Sequence, residues 1–148
     1  MKQTITPDKQ TVQEALQGRT YFVDFYQREY VWSKETVDIL LRDIFYSFDL
    51  SYDQFKNAEL TAEVMEKFNC YYLNIFITNN INGKAYIVDG QQRLSTLTLL
   101  AAKLYHPTDN EILKDILKAC ICSNDAYKGN KFNIDNEKRH DVMKAVLD

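Results

Sequence analysis

The stretch YIVDGQQRLSTLTLL, residues 86–100, passes from a short apolar run through Asp-Gly-Gln-Gln-Arg into a second, longer apolar run. The first run follows CYYLNIFITN (70–79), and both have the β-branched and aromatic composition of strands. Asn82-Gly83 between them supplies the positive φ of a tight hairpin turn. The second run is apolar on nearly every side, which predicts a helix over 94–105 buried against a sheet. The sequence therefore predicts a hairpin followed by a strand-to-helix turn at 89–93.

The chain before this hairpin predicts two helices and a strand. Thr11 and Glu14 form a capping box for a helix over about 12–17, with Gly18 as its C-cap. Residues 20–25 have strand composition. Ser33 is a good N-cap for an amphipathic helix, whose apolar positions recur at helical spacing: Val37, Leu40, Leu41, Ile44, Phe45 and Phe48. The polar region 49–69 is expected to be a loop with a turn or two of helix.

The chain after the buried helix predicts two more helices. Pro107 ends the buried helix, and Thr108 with Glu111 forms a second capping box. The tail predicts a short strand and then a helix from about Asn136. The chain ends inside this helical pattern, so we expect it to be the N-terminal fragment of a longer protein. Together the elements predict a single α/β (α+β) domain over 1–148.

Composition and charge exclude several classes of protein. The 148 residues are 45% hydrophobic with four Gly and two Pro, which is typical of one globular domain. A net charge of -3 argues against a basic nucleic-acid coat but allows a local phosphate site. The three cysteines lack the spacing of a disulfide framework or zinc site, so reduced, buried thiols are expected. No signal peptide or membrane-spanning run is present, which predicts a cytoplasmic protein without a membrane partner.

The DGQQR segment has a purely structural interpretation. Asp89 is suited to be the N-cap of the buried helix, and Gln92 is placed to reach back to the N-cap amide. Capping leaves Gly90, Gln91 and Arg93 unexplained, because Gly weakens a helix and the other two are long hydrogen-bond donors beside a buried element.

The functional interpretation of the same segment is a phosphate site. The first turn of a helix presents N–H groups and the positive end of the dipole to an anion. Gly90 lets the backbone approach a ligand, and Arg93 adds a planar donor fork. The functional hypothesis adds three more side chains: the Ser95 and Thr96 hydroxyls as further donors, and the Asp89 carboxylate to hold Mg²⁺ or orient water.

A second polar stretch, FYQREYVW (25–32), also has two interpretations. Tyr26, Tyr30 and Trp32 alternate, so an extended chain would show them on one side for stacking on a base. Gln27 and Arg28 supply donors between them. The structural alternative is that the aromatic rings cover the sheet, with Trp32 packing on the start of the following helix.

Both stretches resemble the paired signatures of the DGQQR family. The resemblance rests on Tyr26-Gln27-Arg28, followed by Tyr30 and Trp32, and on Asp89-Gly90-Gln91-Gln92-Arg93-Leu94 with Ser95-Thr96-Leu97. This family is the ParB/sulfiredoxin-like N-terminal domain of GmrSD-type, modification-dependent restriction endonucleases and related phage-defence proteins. The resemblance implies a small mixed sheet packed with several helices, in which the DGQQR turn serves nucleotide binding and hydrolysis or phosphate contact.

The resemblance also implies a partner domain. In such proteins the turn is coupled to DNA cleavage by a C-terminal nuclease domain, often of HNH type. The only histidines here are His106 and His140, so the nuclease half is expected to lie outside this chain. Two departures concern the site. Val23-Asp24 stands where the family usually has Ile-Pro, and Leu73-Asn74-Ile75 stands where it tends to have Leu-Gly-Ser, so that Asn74 would narrow the pocket.

Three hypotheses remain open. In the first, the chain is an NTP-binding module, with or without Mg²⁺-dependent hydrolysis. Arg93 and the turn amides hold phosphates, and Asp89 holds Mg²⁺ or water. Gln91 and Gln92 orient the nucleotide or water, and the opposite wall of the site is formed by Tyr26, Gln27 and Arg28. In the second, the same segments grip DNA phosphates or a modified base without hydrolysis. In the third, the chain is a scaffold and its polar residues are only caps. Whether the chain is itself an enzyme stays open.

Overall fold

A computed structural model describes residues 5–24, 27–125, 129–135 and 140–147. The helices are α1 (Val12–Leu16), α2 (Lys34–Phe55), α3 (Ala62–Met65), α4 (Gln91–Tyr105), α5 (Glu111–Ile121) and α6 (His140–Leu147). The strands are β1 (Tyr21–Phe22), β2 (Ile77–Ile81), β3 (Lys84–Asp89), β4 (Cys122–Asp125), β5 (Gly129–Phe132) and β6 (Ile134–Asp135). Helices combined with small sheets confirm the predicted α+β class, whereas the ParB/sulfiredoxin-like assignment stays a prediction.

The larger sheet is mixed, as predicted, and has the strand order β2-β3-β1-β6. The short strand β1 runs parallel to both β3 and β6. Strands β2 and β3 form the predicted antiparallel hairpin. Asn82 and Gly83 at its turn have φ values of 51° and 77°, the pair of positive angles that a right-twisted two-residue hairpin needs. The end of β3 thus leads directly into α4.

The chain consists of two compact units. The first contains residues 1–29 and 76–148, and the second contains residues 30–75. All the elements except α2 and α3 belong to the first unit. Whether residues 1–148 act as one domain stays a prediction.

Buried apolar side chains and one buried amide hold the first unit together. Helix α4 packs on α5, and the core includes Leu16, Ile87, Leu94, Leu97, Ala101, Ala102 and Ile121. Asn133 is fully buried, and its side-chain nitrogen donates to the carbonyls of Leu16 at 2.6 Å and Ala119 at 2.8 Å. Its backbone oxygen accepts from the Tyr21 amide at 2.7 Å. One buried amide therefore joins the ends of α1 and α5 to β1, which fixes the frame around β3.

Aromatic packing organises the second unit. Phe68 stacks on Phe55 and contacts Phe48, with ring centroids 5.8 and 5.7 Å apart. Ser51 is buried, and its hydroxyl accepts from the Asn69 amide at 2.9 Å. These contacts explain why α2 continues to Phe55, although the polar sequence after residue 48 predicts mostly loop: tertiary packing supplies what the local periodicity lacks.

Asn74 adopts a left-handed conformation, with φ of 72°. Its side-chain oxygen accepts from the Ile75 amide at 2.8 Å. Asn tolerates this region better than other residues with a Cβ. The resemblance places Gly at this position, and a positive φ is a physical reason for that preference.

Several local predictions are wrong. Helix α5 is capped by Asn110, whose side chain accepts from the Leu113 amide at 3.0 Å, whereas the Thr108 hydroxyl donates back to Leu104. The capping box at Thr108 therefore does not form. Strand β1 is shorter than the predicted 20–25. Cys70 is exposed, whereas Cys120 and Cys122 are buried as expected, and burial raises the pKa of both thiols.

The capping box at Thr11 and Glu14 is confirmed. The Glu14 carboxylate accepts from the Thr11 amide at 2.7 Å, and the Thr11 hydroxyl accepts from the Glu14 amide at 3.2 Å. The Thr11 hydroxyl also donates to the Glu14 carboxylate at 2.9 Å, and the two bonds to this carboxylate lower the pKa of Glu14, the one from the backbone amide most strongly. Within the described ranges, no helix combines the length and apolar character needed to cross a membrane.

Candidate functional site

The turn from β3 into α4 is built around Gly90. Gly90 is the N-cap of α4, with φ of 89° and ψ of 7°, and its oxygen accepts the first helical bond, from the Leu94 amide at 3.0 Å. A residue with a Cβ is strained in this left-handed conformation. Because glycine has no side chain, the first-turn amides of this 15-residue helix receive no cap from the N-cap position.

The predicted capping box on Asp89 and Gln92 is therefore wrong. Asp89 is the last residue of β3 and is exposed, so the helix begins after it rather than upon it. Gly90, in its left-handed conformation, lies between Asp89 and the first residue of the helix. Asp89 consequently does not act as the N-cap, and Gln92 bonds elsewhere.

A β-bulge precedes the turn. Ile77 pairs with Asp89 and Thr78 pairs with Ile87, so Val88 is the extra residue on β3. A bulge bends the strand and re-aims the residues that follow it. The carboxyl end of β3 thus departs from regular pairing at the place where the DGQQR segment begins.

Gln91 and Gln92 are both 9% exposed, which is unusual for side-chain amides. The nitrogen of Gln92 donates to the backbone oxygen of Glu29 at 3.0 Å, across 63 positions of sequence. No hydrogen bond joins the Gln91 side chain to another residue in the described part of the chain. One glutamine therefore links the turn to the earlier polar segment, while the other retains its hydrogen-bonding capacity.

A second bond links the same two segments, and here the earlier segment supplies the donor. The side-chain nitrogen of Gln27 donates to the backbone oxygen of Ile87, near the end of β3. The Gln27 backbone amide also donates to the backbone oxygen of Asp24 at 3.0 Å. Ile87 lies one residue beyond Tyr86, the last partner of β1, so the Gln27 side chain meets β3 where β1 has ended.

Arg28 lies between these two attachment points. Gln27 before it is bound to β3, and Glu29 after it is bound to the first turn of α4. Arg28 is exposed and Arg93 is half-buried. Residues 27–29 and the DGQQR turn therefore meet in one region of the first unit, which brings two arginine-bearing backbone segments together.

The remaining predicted residues fall into three groups. Ser95 is half-buried. Thr96 is buried, and its hydroxyl donates to the backbone oxygen of Gln92 at 2.9 Å within α4. Tyr26 lies outside the described residues. Tyr30 and Trp32 belong to the second unit. Nucleotide or phosphate contact by Tyr26, Ser95 and Thr96, and base stacking by Tyr26, Tyr30 and Trp32, stay predictions.

The predicted Mg²⁺ role of Asp89 rests on one exposed carboxylate. Among the described residues, no three His, Cys, Asp or Glu side chains gather as a metal-binding group. Mg²⁺ commonly binds proteins through one or two carboxylates and takes its other ligands from substrate phosphates and water. Asp89 fits that mode, in which the metal would arrive with a nucleotide.

A basic and aromatic cluster lies at the other end of β3. The Nζ atoms of Lys84 and Lys131 lie 4.9 and 5.6 Å from the centroid of the Phe22 ring, and Tyr86 packs on that ring at 5.6 Å. Sequence reasoning missed this cluster because Lys131 and Phe22 are far apart in sequence. Alternation of Lys84 and Tyr86 along β3 was the available signal. We refer to these four residues as the Phe22 cluster.

Comparison with known proteins assigns the family. None of the curated proteins compared with the chain matches it. The family described as GmrSD restriction endonuclease, N-terminal domain, matches residues 9–146, which include both polar stretches. The chain therefore belongs to the family of N-terminal domains of GmrSD restriction endonucleases.

Proposed function

We propose that the turn between β3 and α4 binds the phosphates of a nucleoside triphosphate. The chain would thereby serve as a nucleotide-responsive module of a DNA restriction enzyme. In this proposal the first-turn amides of α4 and the Arg93 guanidinium hold the phosphates, and Arg28 approaches from the facing segment. Asp89 would hold Mg²⁺ that the nucleotide brings, and Gln91 would orient the nucleotide or a water molecule.

The observation that supports this proposal most strongly is the pair of bonds from Gln27 to Ile87 and from Gln92 to Glu29. Two segments that are 60 residues apart are held together on both sides of Arg28. A cation at each segment, beside a glycine-capped helix start, is an arrangement that stabilises several phosphate negative charges at once.

The proposal extends to the whole restriction enzyme. Binding or hydrolysis of the nucleotide would regulate DNA cleavage by a C-terminal nuclease domain of the same protein, acting on DNA that can carry a modification. The family membership of the chain supports the link to restriction, and the resemblance at the DGQQR turn supports the nucleotide.

Thermal unfolding with Mg²⁺ and a panel of NTPs tests the proposal. At ten times the Kd, a ligand that binds only the folded state adds about 1.4 kcal/mol of stability, or roughly 3–6 °C for a chain of this size. Arg93→Ala should lose most of this shift. Lys103→Ala is the matched control, because Lys103 is an exposed cation in the last turn of the same helix. No shift at millimolar NTP, or equal shifts in both variants, would refute the proposal.

A second candidate function is DNA binding at the Phe22 cluster. Two ammonium groups beside an aromatic pair combine phosphate attraction with a surface for base stacking. If the cluster binds DNA, Lys84→Ala and Lys131→Ala should each lower the slope of log affinity against log salt by about 1. Lys103→Ala should leave that slope unchanged. Equal slopes in all three variants would exclude the Phe22 cluster as the DNA-binding surface.

A further inference from the structure

The side-chain oxygen of Gln27 is buried and has no hydrogen-bond partner among the residues that the structure describes. An unsatisfied buried acceptor is costly, and native proteins contain few of them. The residue as a whole is only half-buried. A ligand donor is one way to satisfy it.

The identity of this atom is fixed by its neighbour. The Ile87 carbonyl can only accept, so the end of the amide that contacts it must be the NH₂ group. Turning the amide over would place two acceptors together. The unsatisfied atom is therefore the oxygen, and its partner is a hydrogen-bond donor or a cation.

This requirement excludes phosphate as the partner. The phosphate groups of a nucleotide are acceptors, and at pH 8 the last ionisation, with a pKa near 6, is complete. Sugar hydroxyls and the N–H groups of bases are donors. The Gln27 oxygen thus has the wrong chemistry for the phosphate end of an NTP and the right chemistry for its nucleoside end.

The place where Gln27 bonds to β3 is consistent with contact to the nucleoside end of the ligand. Gln27 is bonded at Ile87, and the phosphate-binding turn begins at Gly90. At about 3.3 Å per residue these points are at most about 10 Å apart. A ligand held by its phosphates at Gly90 would extend its nucleoside over a distance of this order.

We propose that the Gln27 side-chain oxygen accepts a hydrogen bond from the nucleoside part of the ligand, a sugar hydroxyl or a base N–H. This inference rests on the proposed NTP function and adds that Gln27 determines specificity for nucleotides over simple polyphosphates. Gln92, whose amide bonds to Glu29, has no such unsatisfied oxygen and serves to position the segments.

The test compares NTPs with inorganic tripolyphosphate, titrated into the 148-residue chain at pH 8 with Mg²⁺. Gln27→Met should weaken NTP binding about three- to tenfold relative to tripolyphosphate, since one hydrogen bond to the ligand is lost. Gln92→Met is the control, because it loosens the segments and should weaken both ligands by the same factor.

Ligand variants identify the donor with the wild-type chain, so the test does not depend on folding of Gln27→Met. If a sugar hydroxyl is the donor, 2′,3′-dideoxy NTPs should bind about three- to tenfold more weakly than NTPs, and this difference should vanish in Gln27→Met. If a base N–H is the donor, dideoxy and ordinary NTPs should bind alike, and NTPs with different bases should differ.

The outcomes separate the two proposals. Equal wild-type affinity for NTPs and tripolyphosphate would overturn the role of Gln27 while leaving phosphate binding intact. An unchanged NTP preference in Gln27→Met would do the same, since a buried water would then satisfy the oxygen. Absence of wild-type binding to either ligand would overturn the proposed function itself, and the role of Gln27 with it.

Discussion

Gln92 donates its side-chain amide to the backbone oxygen of Glu29 at 3.0 Å, which joins the first turn of α4 to a segment 63 positions earlier. Gln27 returns a bond from that segment to Ile87. Gln27 and Gln92 therefore hold two segments of the protein together. Their arrangement explains how a helix start and a distant loop come to share one site.

The first prediction concerns the stability that this pair of bonds provides. Gln92→Met should lower the free energy of unfolding by about 1 kcal/mol, because it removes a part-buried hydrogen bond, and Gln27→Met should lower it by less, because it also removes an unsatisfied buried oxygen. If the bonds act together, the double variant should depart from additivity by at least about 0.5 kcal/mol. Urea unfolding measures all four proteins.

Gln13→Met provides the control for amide loss. Its side chain bonds to Gln17 at 2.8 Å on the exposed face of α1, so we expect a change of no more than about 0.5 kcal/mol. Strict additivity of the Gln27 and Gln92 variants would mean that the two bonds hold the segments independently.

The second prediction concerns the backbone at Gly90. Gly90→Ala should lower stability by about 1–2 kcal/mol, because a Cβ is strained at a φ of 89°. It should also weaken tripolyphosphate binding, since the helix start would shift away from its left-handed cap. Thermal unfolding and ligand titration measure the two effects.

Gly18→Ala is the matched control for strain. Gly18 has a φ of 65° and no atom within 4 Å of an added Cβ, so it carries a similar backbone penalty in open space. Gly18→Ala should lower stability without weakening tripolyphosphate binding. If Gly90→Ala bound tripolyphosphate as tightly as the wild type, the backbone of the turn would not be part of the site.

The third prediction concerns alkaline pH. Burial raises the pKa of Tyr21 above its usual value, against a smaller opposite effect of Arg19, and its hydroxyl donates to the Ala15 oxygen at 2.6 Å. The folded chain therefore retains this proton at a pH where the unfolded chain releases it. The contribution of Tyr21 to the free energy of unfolding is fully present below pH 10. It declines as the pH rises from there towards the folded-state pKa.

Tyr21→Phe should accordingly cost about 1 kcal/mol at neutral pH and progressively less above pH 10. Urea unfolding from pH 7 to 11 gives the difference between wild type and variant. Tyr72→Phe is the control for loss of a tyrosine hydroxyl, because Tyr72 is 74% exposed. A constant difference for Tyr21→Phe across the range would contradict the role of the buried hydroxyl.

The sequence predicted those features that depend on neighbouring residues. The Asn82-Gly83 turn and the Thr11–Glu14 box follow from local backbone preferences, and both are confirmed. Burial of α4 followed from its apolar composition. These are the cases in which local chemistry and the final fold agree.

The start of α4 could not be predicted in the same way. Asp89 and Gln92 have the spacing of a capping box, but Gly90 adopts a left-handed angle and Glu29 supplies a partner for Gln92. Gly90 lies inside the local pattern, but the Glu29 partner comes from outside it. The bond from Gln27 to Ile87 is equally long-range, so sequence identified the residues of the candidate site without identifying the bonds among them.

Amide chemical-shift mapping of the ¹⁵N-labelled chain during titration with Mg²⁺ and tripolyphosphate tests the central claim most directly. If the turn between β3 and α4 binds phosphates, the largest saturable shifts should fall on the amides of Gly90, Gln91, Gln92 and Arg93, and Arg93→Ala should abolish saturation. Shifts confined to Lys84, Lys131 and their neighbours, or no saturable shift at millimolar tripolyphosphate, would contradict it.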